Sequence, residues 1–202
     1  INKLYFRKYF INKLLDFAKQ NNYQFTFFVR SNDLNSKKII LKRLKNDGHE
    51  IASHGNIHVL YENKSKKWLK EELTKSKNEF LKYKIQITGF RSPFLSENKE
   101  LYDVLDDLKF EYVSNRFNHQ NDQSGDFKLK QDKIIYPSDW HGLVVERLKI
   151  NEISEKWYEN KGTLLLHPWI FLKYMDKIKS LLKGQKDFRI YSNINKNKLK
   201  IS

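Results

Sequence analysis

Short apolar runs alternate with longer amphipathic segments along most of this chain, and that alternation constrains the fold more than any other feature. The runs 24–29 (QFTFFV), 50–53 (EIAS), 87–90, 111–114 (EYVS) and 163–167 (TLLLH) have the length and the aromatic or β-branched content of strands. Weaker strand candidates are 133–137, 143–148 and 188–192. The segments 11–20, 34–46, 66–82, 98–109, 153–160 and 170–182 read as helices. Helix 11–20 carries Ile11, Leu14, Leu15 and Ala18 at helical spacing, and 66–82 places Trp68, Leu69, Leu73, Phe80 and Leu81 on its apolar side. Asn21-Asn22 and Asp47-Gly48 are stop signals. Strand, helix and strand joined by short turns build a parallel sheet. The pattern admits an α/β barrel or a doubly wound sheet. Either collects reactive residues at the C-terminal ends of its strands. The polar stretch 116–132 reads as a long surface loop.

A length of 202 residues suits one domain with a sizeable core. Cysteine is absent, so any metal must be held by His, Asp or Glu. The net charge of +15 favours anionic surroundings such as an acidic wall or membrane surface. It comes from lysines spread along the chain, as at Lys64, Lys66, Lys67 and Lys70, and no nucleic-acid-binding motif accompanies it. Nucleic acid is therefore not an expected partner. No apolar run approaches the ~20 residues that span a bilayer, and no signal peptide is visible.

Four segments carry chemistry, and each directly follows a strand candidate. His54-Gly-Asn-Ile-His58 sets two imidazoles four residues apart, which can meet one metal if the segment makes a helical turn. The plainer reading is two histidines on a surface turn. In Gly89-Phe-Arg91-Ser-Pro93-Phe94, Arg91 can clamp a carboxylate, Pro93 can shape the loop and Phe94 can line a groove. The plainer reading is a surface Arg before a turn. In Pro137-Ser-Asp139-Trp140-His141, an exposed Trp140 can stack on a sugar while Asp139 orients a neighbour; alternatively Trp140 is buried and Asp139 caps a turn. In Leu164-Leu-Leu-His167-Pro168-Trp169, His167 either faces a site as a general acid or base or is a core histidine bonded to a carbonyl. His49 precedes its strand and His119 lies in the polar loop, so neither is a site candidate.

In their order, these segments resemble the polysaccharide deacetylases of the NodB-homology class, carbohydrate esterase family four, over roughly residues 12–182. Phe25-Thr-Phe-Phe-Val29 is similar to that family's second strand. Gly48 to His58 resembles its metal-binding His-Ser/Thr-x-x-His motif, and Arg91-Ser-Pro93-Phe94 its Arg-x-Pro-Tyr/Phe motif. Asp139-Trp140 resembles its Asp-Trp motif, and Leu165-Leu-His167-Pro168 its Leu-x-His motif. The resemblance implies a distorted (β/α) barrel of about seven strands and a divalent metal, usually zinc, held by one Asp and two His. It further implies hydrolysis of N-acetyl groups on an amino-sugar polymer or oligosaccharide. Carried over, His54 and His58 are metal ligands, His167 is the general acid and Arg91 the orienting residue. Asp139 and Trp140 support and line the substrate groove, with Pro93, Phe94 and Trp169 also on the substrate side.

The family's first motif, an Asp pair at the end of a first strand, has no counterpart in residues 1–10 (INKLYFRKYF), where no acid occurs; the first Asp is Asp16. The expectation is one deacetylase-like catalytic domain, incomplete at its N-terminus, with that strand and Asp pair upstream of Ile1. The alternatives are a non-catalytic carbohydrate-binding relative that lacks the pair, and an amidohydrolase acting on a small molecule.

Overall fold

The computed structural model describes residues 3–117, 130–134, 136, 138–149, 151–153 and 163–182. The chain forms two compact units. One comprises Ile1–Phe25, Phe117–Gln120 and Lys133–Arg189; the other comprises Thr26–Arg116, Asn121–Asp132 and Ile190–Ser202.

The second unit holds most of the sheet. β1 (Thr26–Val29), β2 (Glu50–Ser53), β3 (Gly89–Phe90) and β4 (Tyr112–Phe117) pair in that order, every pair parallel. A fifth strand, β5 (Lys130–Ile134), follows β4 in the order. The helices α2 (Lys38–Asn46), α3 (Lys66–Lys82) and α4 (Lys99–Asp107) alternate with the strands. This is the α/β class with a parallel sheet that the alternation predicts. Its core is apolar: Leu69, Leu73 and Phe80 of α3, Leu101, Val104 and Leu105 of α4, and Phe90 and Val113 of the sheet are buried. Ser65 caps α3 by accepting from Trp68 N, and Asn98 caps α4 by accepting from Leu101 N.

The helix ends explain how the chain turns so tightly into each strand. After α2, Gly48 N donates to Lys45 O and His49 N to Leu44 O. After α3, Lys84 N donates to Leu81 O and Ile85 N to Phe80 O; after α4, Lys109 N donates to Asp106 O and Phe110 N to Leu105 O. Each is a Schellman closure, with Gly48, Lys84 and Lys109 at φ of 76°, 56° and 58°. A left-handed lysine costs roughly 1 kcal/mol. Burial of the following Ile85 and Phe110 offsets that cost.

The first unit is built on α1 (Lys3–Gln20), which packs against α5 (Pro168–Lys173). Phe17 and Phe171 meet there at a ring separation of 5.7 Å. Leu143, Ile153 and Ile170 form a second buried cluster with Leu148, Leu164, Leu166 and Tyr174. α6 (Met175–Leu182) completes the described part.

Several local expectations are corrected. Residues 3–10 are helical, so the first helix begins well before residue 11. Residues 143–148 are not a strand: His141–Val145 is a π-helical turn, with Val144 and Val145 exposed. Of 163–167, only Thr163 forms a bridge, parallel to Ile134. The expected helix 170–182 is two helices, α5 and α6, and Leu81 of α3 is exposed. β4 and β5 take both ends of the expected loop 116–132. The rest of that loop, most of 153–160 and all of 188–192 lie outside the described residues.

Candidate active site

The two imidazoles of the second unit stand where β2 ends. His54 N donates to Val29 O at 2.9 Å, continuing the β1–β2 ladder by one residue. No helical turn follows: Asn56 and Ile57 form a bend, and Gly55 has φ 73°. The bend nevertheless brings the His54 and His58 rings to a separation of 5.3 Å. It is tied on two sides. Ser31 Oγ donates to Asn56 Oδ1 at 3.0 Å, and the buried Glu72 of α3 accepts from Asn56 N at 2.9 Å and from Ile57 N at 2.8 Å. Glu72 also accepts from Tyr61 Oη at 3.2 Å. Burial, then the adjacent Glu72, raise the Tyr61 pKa, so its hydroxyl stays a donor.

His54 Nδ1 lies 2.7 Å from Arg91 O. A carbonyl can only accept, so Nδ1 carries the proton and Nε2 keeps its lone pair. Metal-binding histidines are oriented in the same way. Burial, with Arg91 and His58 nearby, lowers the His54 pKa from 6.5 to about 3. In the metal-free chain this has a pH signature. The unfolded chain takes up the proton below its ordinary 6.5, whereas the folded chain does so only near 3. Stability contributed by neutral His54 is thus complete above pH 6.5 and is lost as pH falls toward 3. The expected slope is at most about 1.4 kcal/mol per pH unit. Urea denaturation at a series of pH values will show a steeper acid loss in the wild type than in His54→Gln; equal slopes would mean that His54 is solvated.

Arg91 N continues the ladder by donating to Ser53 O. Its guanidinium donates to Ser114 O at 3.0 Å and Ser114 Oγ at 2.6 Å, and lies 4.1 Å above the Phe28 ring. Pro93 is buried and opens a short 3-10 turn. Phe94 is 62% exposed, at φ 59°, with its ring 4.4 Å from that of His58. Leu95 is left-handed as well. Two successive strained residues hold an aromatic face out to solvent beside His58.

The first unit holds the other group. Asp139 is fully buried, and its carboxylate accepts from Trp140 N and His167 Nδ1, both at 2.7 Å, and from His167 N. With Nδ1 donating to Asp139, His167 Nε2 is the ring nitrogen left for chemistry. Pro168 at the first position of α5 pre-forms the helix, so His167 precedes it with its side chain 41% exposed. Trp140 and Trp169 are exposed, and their rings meet edge to face at 5.3 Å. Of the paired readings for this segment, Trp140 takes the exposed one, and Asp139 both caps Trp140 N and holds His167. Pro137 lies outside the described residues.

Among the described residues, no group of three or more His, Cys, Asp or Glu is arranged to hold a metal ion. His54 and His58 supply two nitrogen donors of the kind zinc takes. One residue shaping this region escaped sequence reasoning. Glu72 lies on the buried face of α3 with Leu69, Leu73, Ser76 and Phe80, and an acid within an apolar stripe was the available signal.

The family model for polysaccharide deacetylases matches residues 5–113, more than half of the 202. The chain belongs to the polysaccharide deacetylase family. Solved structures agree in fold. A Mycobacterium smegmatis protein classed as a polysaccharide deacetylase superposes with a TM-score of 0.77 at 18% identity, over 93% of this chain and 76% of that one. A CE4 family pseudoenzyme from Bacillus anthracis superposes at 0.68 and 13% identity, over 93% of this chain and 60% of that one. The peptidoglycan deacetylase PdaC from Bacillus subtilis superposes at 0.64 and 20% identity, over 94% and 84%. No curated protein sequence matches the chain. No helix among the described residues of this polysaccharide deacetylase relative is long and apolar enough to cross a membrane.

Proposed function

We propose that this chain hydrolyses N-acetyl groups on an amino-sugar polymer with the help of a divalent metal. The observation that supports this best is the His54–His58 pair, its first ring turned by the Arg91 carbonyl so that Nε2 is available. Zinc is the metal that this donor chemistry suits, with His54 and His58 as two of its ligands. When bound, it supplies Lewis acidity toward water and the acetyl carbonyl. Arg91 orients His54 through its carbonyl oxygen. Breaking the amide C–N bond requires a proton on the departing nitrogen, and His167 Nε2 delivers it while Asp139 holds Nδ1. Phe94, Trp140 and Trp169 offer exposed aromatic faces for sugar rings, and buried Pro93 shapes the loop beneath Phe94.

Acetate release from acetylated chito-oligosaccharides and peptidoglycan fragments, with zinc supplied, tests the reading. Release should stop with a chelator and in His54→Ala. Calorimetry should show one zinc site in the wild type and none in the mutant. A second reading, a non-catalytic carbohydrate-binding relative, draws support from the lack of a three-donor group among the described residues. Saturable glycan binding without acetate release would favour it. Release only from small acetamides would point to a small-molecule amidohydrolase.

A further inference from the structure

A carboxylic acid on the buried face of a helix is costly unless its oxygens find donors. Among the described residues, Glu72 finds its donors in and just after the segment that carries the two histidines, on Asn56, Ile57 and Tyr61. Its Oε1 accepts from Asn56 N, Ile57 N and Tyr61 Oη, and its Oε2 lies 3.4 Å from Asn56 Nδ2. Asn56 and Ile57 lie between His54 and His58, and the carbonyls four residues before them, on Ala52 and Ser53, belong to β2. These two N–H groups are instead satisfied by a side chain 16 and 15 residues further along the chain. The flanking groups are already committed: His54 N bonds Val29 O, and Gly55 N bonds Ser53 Oγ. Ser31 Oγ donates to the Asn56 Oδ1 from the other side at 3.0 Å.

We infer that Glu72 is the positioning residue of the histidine pair: its carboxylate, by accepting two successive backbone N–H groups, sets the bend that brings the His54 and His58 rings together. The consequence for metal affinity rests on the proposed metal reading; the geometry does not.

The first test uses the metal-free wild type. The amide protons of Asn56 and Ile57 should be protected from hydrogen exchange; exchange at unfolded-chain rates overturns the inference. Two variants follow. Glu72→Gln keeps a carbonyl acceptor, and Glu72→Leu keeps bulk without one. The nuclear Overhauser contact between the His54 and His58 rings should persist in the Gln variant and vanish in the Leu variant. Leu69→Ala, a buried truncation on the same helix, should keep it despite lower stability. A folded Glu72→Leu with the ring contact intact overturns the inference. Should that variant not fold, the exchange result decides alone.

Zinc calorimetry then separates the two proposals. Glu72→Leu should bind roughly 10–100-fold more weakly than the wild type, with Glu72→Gln within a few-fold and Leu69→Ala unchanged. If the wild type binds no zinc but the ring contact follows the expected pattern, the metal reading fails and the positioning role stands. If Glu72→Leu binds zinc as tightly as the wild type, the positioning role fails and the metal reading stands.

Discussion

Asp139→Asn is expected to lower acetate release by roughly 10²–10⁴-fold, the range that a positioned proton donor contributes. The Asp139 carboxylate is acceptor-only at both oxygens, and both are used. One takes Trp140 N and His167 Nδ1; the other takes His167 N. An Asn side chain has one oxygen and one amino group, so either orientation points a donor at a donor. With the amino group toward Nδ1, the imidazole must take its other tautomer, and Nε2 changes its proton state. With the amino group toward His167 N, the backbone before α5 loses its acceptor. Asp139 is fully buried, so water cannot reach its side chain to repair either mismatch, and a stability loss of about 1–3 kcal/mol should accompany the loss of rate. Measuring kcat with saturating substrate, at a temperature where circular dichroism shows the variant folded, separates the two effects. A kcat within a few-fold of the wild type would remove His167 from the proton-donor role.

The second large effect is Gly55→Ala, with an expected loss of about 2–4 kcal/mol. Gly55 has φ 73°, a region that side chains with a Cβ rarely adopt. A Cβ there would also lie 2.1 Å from Tyr61 Oη and 3.2 Å from Tyr61 Cζ. Tyr61 cannot step aside cheaply: it is fully buried, its hydroxyl donates to Glu72, and its ring stacks on Phe90 at 6.1 Å. The family's motif usually has Ser or Thr at this position, so in this chain the Tyr61 hydroxyl fills the room that a side chain would take. Urea denaturation gives the stability loss, and the His54–His58 ring contact should be disturbed in the same variant. A loss below about 1 kcal/mol would show that Tyr61 relaxes easily.

Much of the fold was legible because it is local. The segment 66–82 coincides with α3 and 50–53 with β2, since helix and strand periodicities are set by neighbours within a turn or two. The segment 163–167 failed for the converse reason: an apolar run does not reveal whether a ladder partner is present, and only Thr163 bridges Ile134. The run containing Val144 and Val145 misled in the same way. Lys84 and Lys109 were hidden because lysine carries no turn signal; the hydrogen bonds of the helix ends, with Ile85 and Phe110 buried behind them, impose their conformation.

The sequence by itself determined the order of strands and helices, the family, and which chemistry-bearing residues follow which strand: His54 after β2, Arg91 after β3 and His167 just before α5. Tertiary structure alone decided how those side chains are used. It turned Nδ1 of His54 to the Arg91 carbonyl and Nδ1 of His167 to Asp139, and it brought the His54 and His58 rings together through a bend held by Glu72 rather than through a helical turn. The physical reason is that buried donors and acceptors must all be satisfied, and the partners that satisfy them lie far away in the chain.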